Sequence, residues 1–239
     1  VATDGGYAHP EMLVDTDWLA QHLDDPTVRI VDCDILDAYR RAHIPGAVAI
    51  SGAVATGDNY WKNPDDRVHV MTPEQFAERM SGLGIGDDTF VVAYDASRSH
   101  YAARLWWALT YYGHDKVAVL NGGWDKWVAE GRPVSLKEPQ HPKAAFTPQV
   151  RPEALATIDD MKNAIDKPEV VIWDVRSQGE YEGSNPRFNR RAGHIPGAVH
   201  MEWLNTITND ELRTFKPADE LIETFKNMGL TPEKEVLTH

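Results

Sequence analysis

Apolar positions along this chain follow two alternating patterns. Short runs rich in β-branched residues occur as RIVD at 29–32, FVVAY at 90–94, KVAVL at 116–120, VVIWD at 170–174 and EVLTH at 235–239. Their length suits buried strands. Between them lie amphipathic stretches, PEQFAERMSGLG at 73–84, YAARLWWALTYYG at 101–113 and ADELIETFKNMG at 218–229, each closed by glycine as helices commonly are. Thr157 before IDDMKNAI reads as the N-cap of one more helix. Strands alternating with helices at this spacing predict an α/β fold with mainly parallel sheets and helices on both faces.

The pattern occurs twice. The hexapeptide HIPGAV at 43–48 recurs at 194–199, an offset of 151. Each copy follows an apolar run ending in Asp and precedes an amphipathic helix and another apolar run. The offset is 142 between Asp32 and Asp174 and 145 between Gly84 and Gly229, so the second copy holds about nine additional residues, assigned to the segment from Gly183 to Gly193. We therefore expect two domains, 8–134 and 154–239. The connector between them, 135–153, is rich in proline and should lie extended over the surface. By the same correspondence Tyr94 matches His239 and Asp95 matches a position 240, so the second copy is read as stopping inside its domain, incomplete by roughly 40 residues. Both HIPGA segments read as structural turns, and Trp106 and Trp107 are assigned to the core face of their helix.

Composition narrows the function classes. With 24 basic and 37 acidic residues the formal charge is −13, which disfavours nucleic acid and anionic membranes as partners. No segment has the roughly 20 apolar residues of a membrane span. The single cysteine, Cys33, excludes an internal disulfide and any paired-cysteine metal site, which suits a cytoplasmic protein. The start, VATDGGYAHPEML, has no signal-peptide layout and reads as processed or trimmed.

The chemistry is expected at a strand end. A loop between a strand and a helix N-terminus turns backbone N–H groups toward one point, where they favour a thiolate or a bound anion. In the first copy this point is Asp95, read as a structural loop cap. Cys33 matches the apolar Val175 in the other copy and is read as packing only.

TDWLAQHL near the start, HIPGA twice, the YD pair before RLWW, and LNGGWDKW near the end of the first domain together resemble the tandem-domain rhodaneses, the thiosulfate and 3-mercaptopyruvate sulfurtransferases. That resemblance implies two rhodanese-like domains, the first catalytically inactive and the second with a nucleophilic cysteine directly after His239, outside this sequence. It implies transfer of a sulfane sulfur, through a cysteine persulfide, from a small anionic donor (thiosulfate or mercaptopyruvate) to cyanide or another thiophilic acceptor, with no metal and no organic cofactor. Asp174 and Arg176 would orient the active-site loop and its charge, the alternative being a local ion pair. His239 would stabilise the thiolate or simply pack. His100 and Tyr101 would form pocket walls from the first domain, in a cleft between the two. Glu180 stands where some members carry a substrate-binding arginine, which disfavours mercaptopyruvate. Arg187, Arg190 and Arg191 offer a replacement cationic rim or a solvated surface. Two other readings stay open: a catalytically silent rhodanese-like binding module, and a phosphatase on the related fold with a C-x5-R loop.

Overall fold

Each apolar run becomes a strand. In a computed structural model, which describes residues 6–50, 62–65, 69–187 and 189–239, the chain divides into two units. One comprises Val1–Pro152 with Asn209–Thr214, the other Glu153–Thr208 with Phe215–His239. The first five residues and Phe188 of the 183–193 segment lie outside the described residues.

In the first unit, β1 (Leu13–Val14), β2 (Val28–Asp32), β3 (Val48–Ala49), β4 (Phe90–Tyr94) and β5 (Val117–Leu120) form one parallel sheet in the order β1-β5-β4-β2-β3. Its helices are α1 (Thr16–Gln21), α2 (Leu36–Arg41), α3 (Pro73–Gly82), α4 (His100–Tyr111) and α5 (Gly123–Ala129). Parallel strands covered on both faces need apolar residues on both. Accordingly Val91, Val92, Ala93 and Tyr94 are all fully buried.

The α4 helix buries Ala102, Leu105, Ala108 and Leu109. Trp106 and Trp107 are only half-buried, which corrects their assignment to the core: they flank the buried stripe, and Trp107 stacks on Tyr111. The connector has no helix or strand from 136 to 151, and it is tied to the first unit by side chains. Arg151 forks onto Asp115 at 2.6 and 2.7 Å, and Thr147 caps Asp87 through both its N–H and its hydroxyl.

The second unit repeats the plan. Its helices are α6 (Ile158–Ala164), α7 (Gln178–Glu182) and α8 (Ala218–Asn227), and its strands β6 (Val170–Asp174), β7 (Val199–His200) and β8 (Glu235–Thr238) run parallel in the order β7-β6-β8. Thr157 caps α6 in a reciprocal capping box with Asp160. The pairing register is the same in both units. Val31 lies opposite Val48 as Trp173 lies opposite Val199, and Asp32 lies opposite Ala49 as Asp174 lies opposite His200. The residue after each strand-end aspartate donates to the carbonyl at the matching strand end, Cys33 to Tyr94 at 2.8 Å and Val175 to His239 at 3.2 Å. The duplication read from HIPGAV is therefore a duplication of strand order and register.

Both HIPGA segments are structural turns. His43 stacks on Tyr39 with centroids 4.0 Å apart, His194 stacks on Tyr181 at 3.8 Å, and each histidine Nδ1 bonds the carbonyl of the tyrosine it covers. Among the described residues no helix is long and apolar enough to cross a membrane.

Candidate functional site

At the end of β6 the sequence Asp-Val-Arg folds back on itself. The Arg176 backbone N–H donates to Asp174 Oδ1 at 3.0 Å, its Nε to the same oxygen at 2.9 Å, and its Nη2 to Oδ2 at 2.5 Å. Asp174 is fully buried. Burial alone would push its carboxyl up, but the Arg176 guanidinium and N–H outweigh that and hold it below the usual carboxylate range. The same bonds hold the Arg176 guanidinium more firmly protonated. Arg176 Nη2 also donates to the Gly193 carbonyl at 2.9 Å. The 183–193 segment thus closes beside the strand end: Gly183 and Gly193 abut so tightly that a Cβ on Gly183 would stand 2.9 Å from the Gly193 nitrogen.

His239 follows β8 and brings its Nε2 to 3.5 Å from Asp174 Oδ2. Burial pushes its imidazole below its ordinary pKa, against the pull of Asp174. Of the five residues singled out in the sequence, Asp174 therefore touches both Arg176 and His239. His100 and Tyr101 lie in the first unit, at the start of α4. Glu180 is buried and occupied: it accepts from the Ser177 hydroxyl at 2.6 Å and pairs with Arg187 Nε at 3.2 Å. Arg190 and Arg191 are exposed.

The first unit shows how a loop at this position works. Asp95 Oδ1 accepts from the N–H groups of Ser97 and Ser99, and Oδ2 from those of Tyr101 and Ala102, at 2.7 to 2.9 Å. Four N–H donors converge on one side chain, with Arg98 and Ser99 in the left-handed region to aim them. Burial pushes the Asp95 carboxyl up while the four donors oppose it. We take it as ionised, because all four partners are donors and a protonated oxygen would face an N–H. Gly123 supports the loop from α5: at φ +50° a Cβ there would collide with the Asp95 carbonyl oxygen. Gly123→Ala is expected to lower the stability of the first unit by about 3 kcal/mol. A denaturant midpoint equal to the wild type would contradict this.

Around that loop the charge is inverted. Asp34 stands where Arg176 stands in the second unit, its N–H donating to Asp32 Oδ1 at 2.9 Å just as Arg176 donates to Asp174. Asp32 and Asp34 line a cavity of about 160 Å³ with Arg41, Ala96 and Trp124. A larger cavity of about 370 Å³, beside Tyr39, Arg40, Val48, Leu83 and His141, contains none of the predicted site residues. Cys33 is fully buried between the acids; burial first, then the charges of Asp95, Asp32 and Asp34, push its thiol well up. The sequence reading missed this inversion, although Asp-Cys-Asp against Asp-Val-Arg in the two copies carried the signal.

Burial, then the Asp32 charge, pushes Asp34 up to about 7, and burial pushes Asp32 up to about 6. A carboxyl whose folded pKa exceeds its unfolded value of about 4 holds its proton more tightly when folded. Its contribution is complete below about pH 4 and is lost as the pH rises through the folded values. Asp34→Asn, which can still accept from the Ala96 N–H, should raise the melting temperature of the first unit near pH 7.5 and flatten its decline between about pH 5 and 7. A variant that tracks the wild-type profile would refute this account.

A parallel α/β unit that occurs twice with one strand order, with a strand-end loop whose four N–H groups hold the Asp95 side chain, defines the class of fold. The Rhodanese-like domain family matches residues 15–130 and 157–239; the chain belongs to the tandem-domain rhodanese family of sulfurtransferases. It is 39% identical to the sulfur carrier protein TtuD of Thermus thermophilus over 98% of this chain and 84% of that protein. It is 31% identical to the 3-mercaptopyruvate sulfurtransferase of Escherichia coli over 94% and 82%. It is 38% identical to the putative thiosulfate sulfurtransferase SseA of Mycobacterium bovis over 92% and 74%. The crystal structure of Escherichia coli SseA superposes with a TM-score of 0.80 at 28% identity, covering 95% of this chain and 87% of that one.

Proposed function

We propose that the protein is a thiosulfate sulfurtransferase whose nucleophile is a cysteine directly following His239. The thiolate attacks the outer sulfur of thiosulfate, the S–S bond breaks, and sulfite leaves with its electron pair, forming the enzyme persulfide. Cyanide, or another thiophilic acceptor, then takes the terminal sulfur as thiocyanate and returns the thiolate. The observation that carries this reading is the Asp95 loop, where four N–H groups hold an anion at the strand end that matches His239 in register. In the second unit Arg176 replaces the acidic Asp34, which favours an anionic donor.

Thiosulfate is preferred over mercaptopyruvate because Glu180, already engaged by Ser177 and Arg187, stands where some members of the family carry an arginine that would bind the carboxylate of mercaptopyruvate. Asp174, Arg176 and His239 form the pocket floor. Intact-mass measurement of the complete protein is expected to show a gain of one sulfur atom with thiosulfate, lost on adding cyanide as thiocyanate appears. No gain with thiosulfate, or a gain with mercaptopyruvate alone, would overturn the donor assignment. A non-cysteine residue after His239 would leave the silent binding module as the reading.

A further inference from the structure

Tyr94 and His239 occupy one position of the repeat, fixed by the matching backbone bonds from Cys33 and Val175. In the first unit the Tyr94 hydroxyl does two things. It donates to Asp32 Oδ2 at 2.6 Å and accepts from the Ile44 N–H at 3.1 Å, so it ties the end of β4 to the end of β2 and to the HIPGA turn. Burial, reinforced by Asp32, keeps this phenol protonated far above its ordinary pKa.

In the second unit the aspartate is retained and the tyrosine is replaced by histidine. His239 Nε2 is buried and makes no hydrogen bond, and a carboxylate oxygen, Asp174 Oδ2, stands 3.5 Å from it. A buried polar nitrogen left unpaired costs about 1–3 kcal/mol, and a small approach of the ring would satisfy it.

From these observations we propose that His239 is a positioning residue: its ring fastens the end of β8 to Asp174, as Tyr94 fastens β4 to Asp32, and so fixes the direction in which the next residue leaves the strand. The proposal rests on the sulfur-transfer reading for its consequence, since that next residue is the expected nucleophile. Consecutive Cα atoms are about 3.8 Å apart, so rotation of an unfastened His239 is passed directly to its neighbour.

The exchange of tyrosine for histidine also changes the electrostatics. The charged groups facing His239 are Asp174 and Arg176, both from the end of β6. Behind them, Glu180 of α7 acts on Arg176, and His200 of β7 bonds the Arg176 carbonyl at 2.8 Å. A protonated His239 would be drawn to Asp174 and place a positive charge next to the expected thiol, which a tyrosine does not.

The test uses the complete protein with His239→Leu, His239→Gln and His239→Tyr. It reads kcat and KM for thiosulfate, and the pH profile of thiol alkylation in Cys33→Ala backgrounds. His239→Leu should lower kcat about tenfold with KM within about twofold, the signature of lost orientation and not of lost donor binding. His239→Gln keeps a donor, and His239→Tyr supplies the contact used in the first unit; both should recover kcat to within about threefold. Wild-type alkylation should show an inflection below pH 7 that both variants lose, so these two variants report even where Leu does not fold. Wild-type kcat in His239→Leu, or an alkylation profile identical in wild type, Gln and Tyr, would overturn the proposal. A wild-type protein whose thiol alkylates but takes up no sulfur defeats the sulfur-transfer reading separately, because the alkylation profiles still judge His239.

Discussion

Replacing the cysteine expected after His239 by serine should reduce thiosulfate-dependent sulfur transfer by about a thousandfold or more, to background. Cys33→Ala should leave it within about twofold of wild type. The surroundings of the two positions differ. Cys33 has no exposed surface, and its Sγ lies 3.8 Å from the Val31 carbonyl. Its thiol is pushed well up by burial and by Asp95, Asp32 and Asp34. A thiol kept protonated and out of reach of donors is not a nucleophile at neutral pH. A thiol after His239 would instead open the loop that in the first unit gathers four N–H groups, with Arg176 in place of Asp34. Loss of only its packed atoms makes Cys33→Ala cost about 1 kcal/mol of stability. The measurement is thiocyanate production by each variant, with persulfide mass as a second readout. Activity that survives the serine substitution and disappears in Cys33→Ala would reverse the assignment.

Arg176→Ala is expected to combine a structural and a functional loss. Asp174 is fully buried and holds both oxygens toward Arg176, so removing the guanidinium leaves a buried carboxylate with one backbone donor. Breaking such a pair from one side costs about 3 kcal/mol or more, and the second unit should melt correspondingly earlier. The Gly193 carbonyl also loses its donor, which releases the closure of the 183–193 segment. Thiosulfate turnover should fall at least about tenfold, with a weaker dependence on ionic strength because a cation facing the donor has gone. Arg176→Lys keeps the charge but cannot fork onto Asp174, so it should recover part of the donor binding and little of the stability. Equal stability of wild type and Arg176→Ala would mean that the pair is not buried as described.

The fold was legible because its determinants are local and repeated. The β-branched runs ending in Asp32, Tyr94 and Asp174 became strands at those residues, and Thr157 capped α6 as its side chain requires. The offsets between the two HIPGAV copies reappeared as one register, since parallel pairing is dictated by which residues face both covered surfaces. Asp95 was legible as a loop cap because a short carboxylate at a strand end has only the following N–H groups to bind. Other features depended on groups far apart in sequence. That four donors share Asp95, that Asp34 and Arg176 make opposite fields at equivalent points, and that Arg176 reaches Gly193 follow from how loops close after the strands are paired. Trp106 and Trp107 illustrate the same limit. Period and hydrophobicity put them on a helix that packs, but which stripe of that helix meets the sheet was decided by Ala102, Leu105, Ala108 and Leu109, whose smaller side chains let α4 approach. The sequence alone determined the duplication and the strand ends, both of which follow from short-range patterning. Tertiary structure decided the partners and the sign of the charge at each strand end, because electrostatic fields and hydrogen bonds depend on distances that only the closed fold sets.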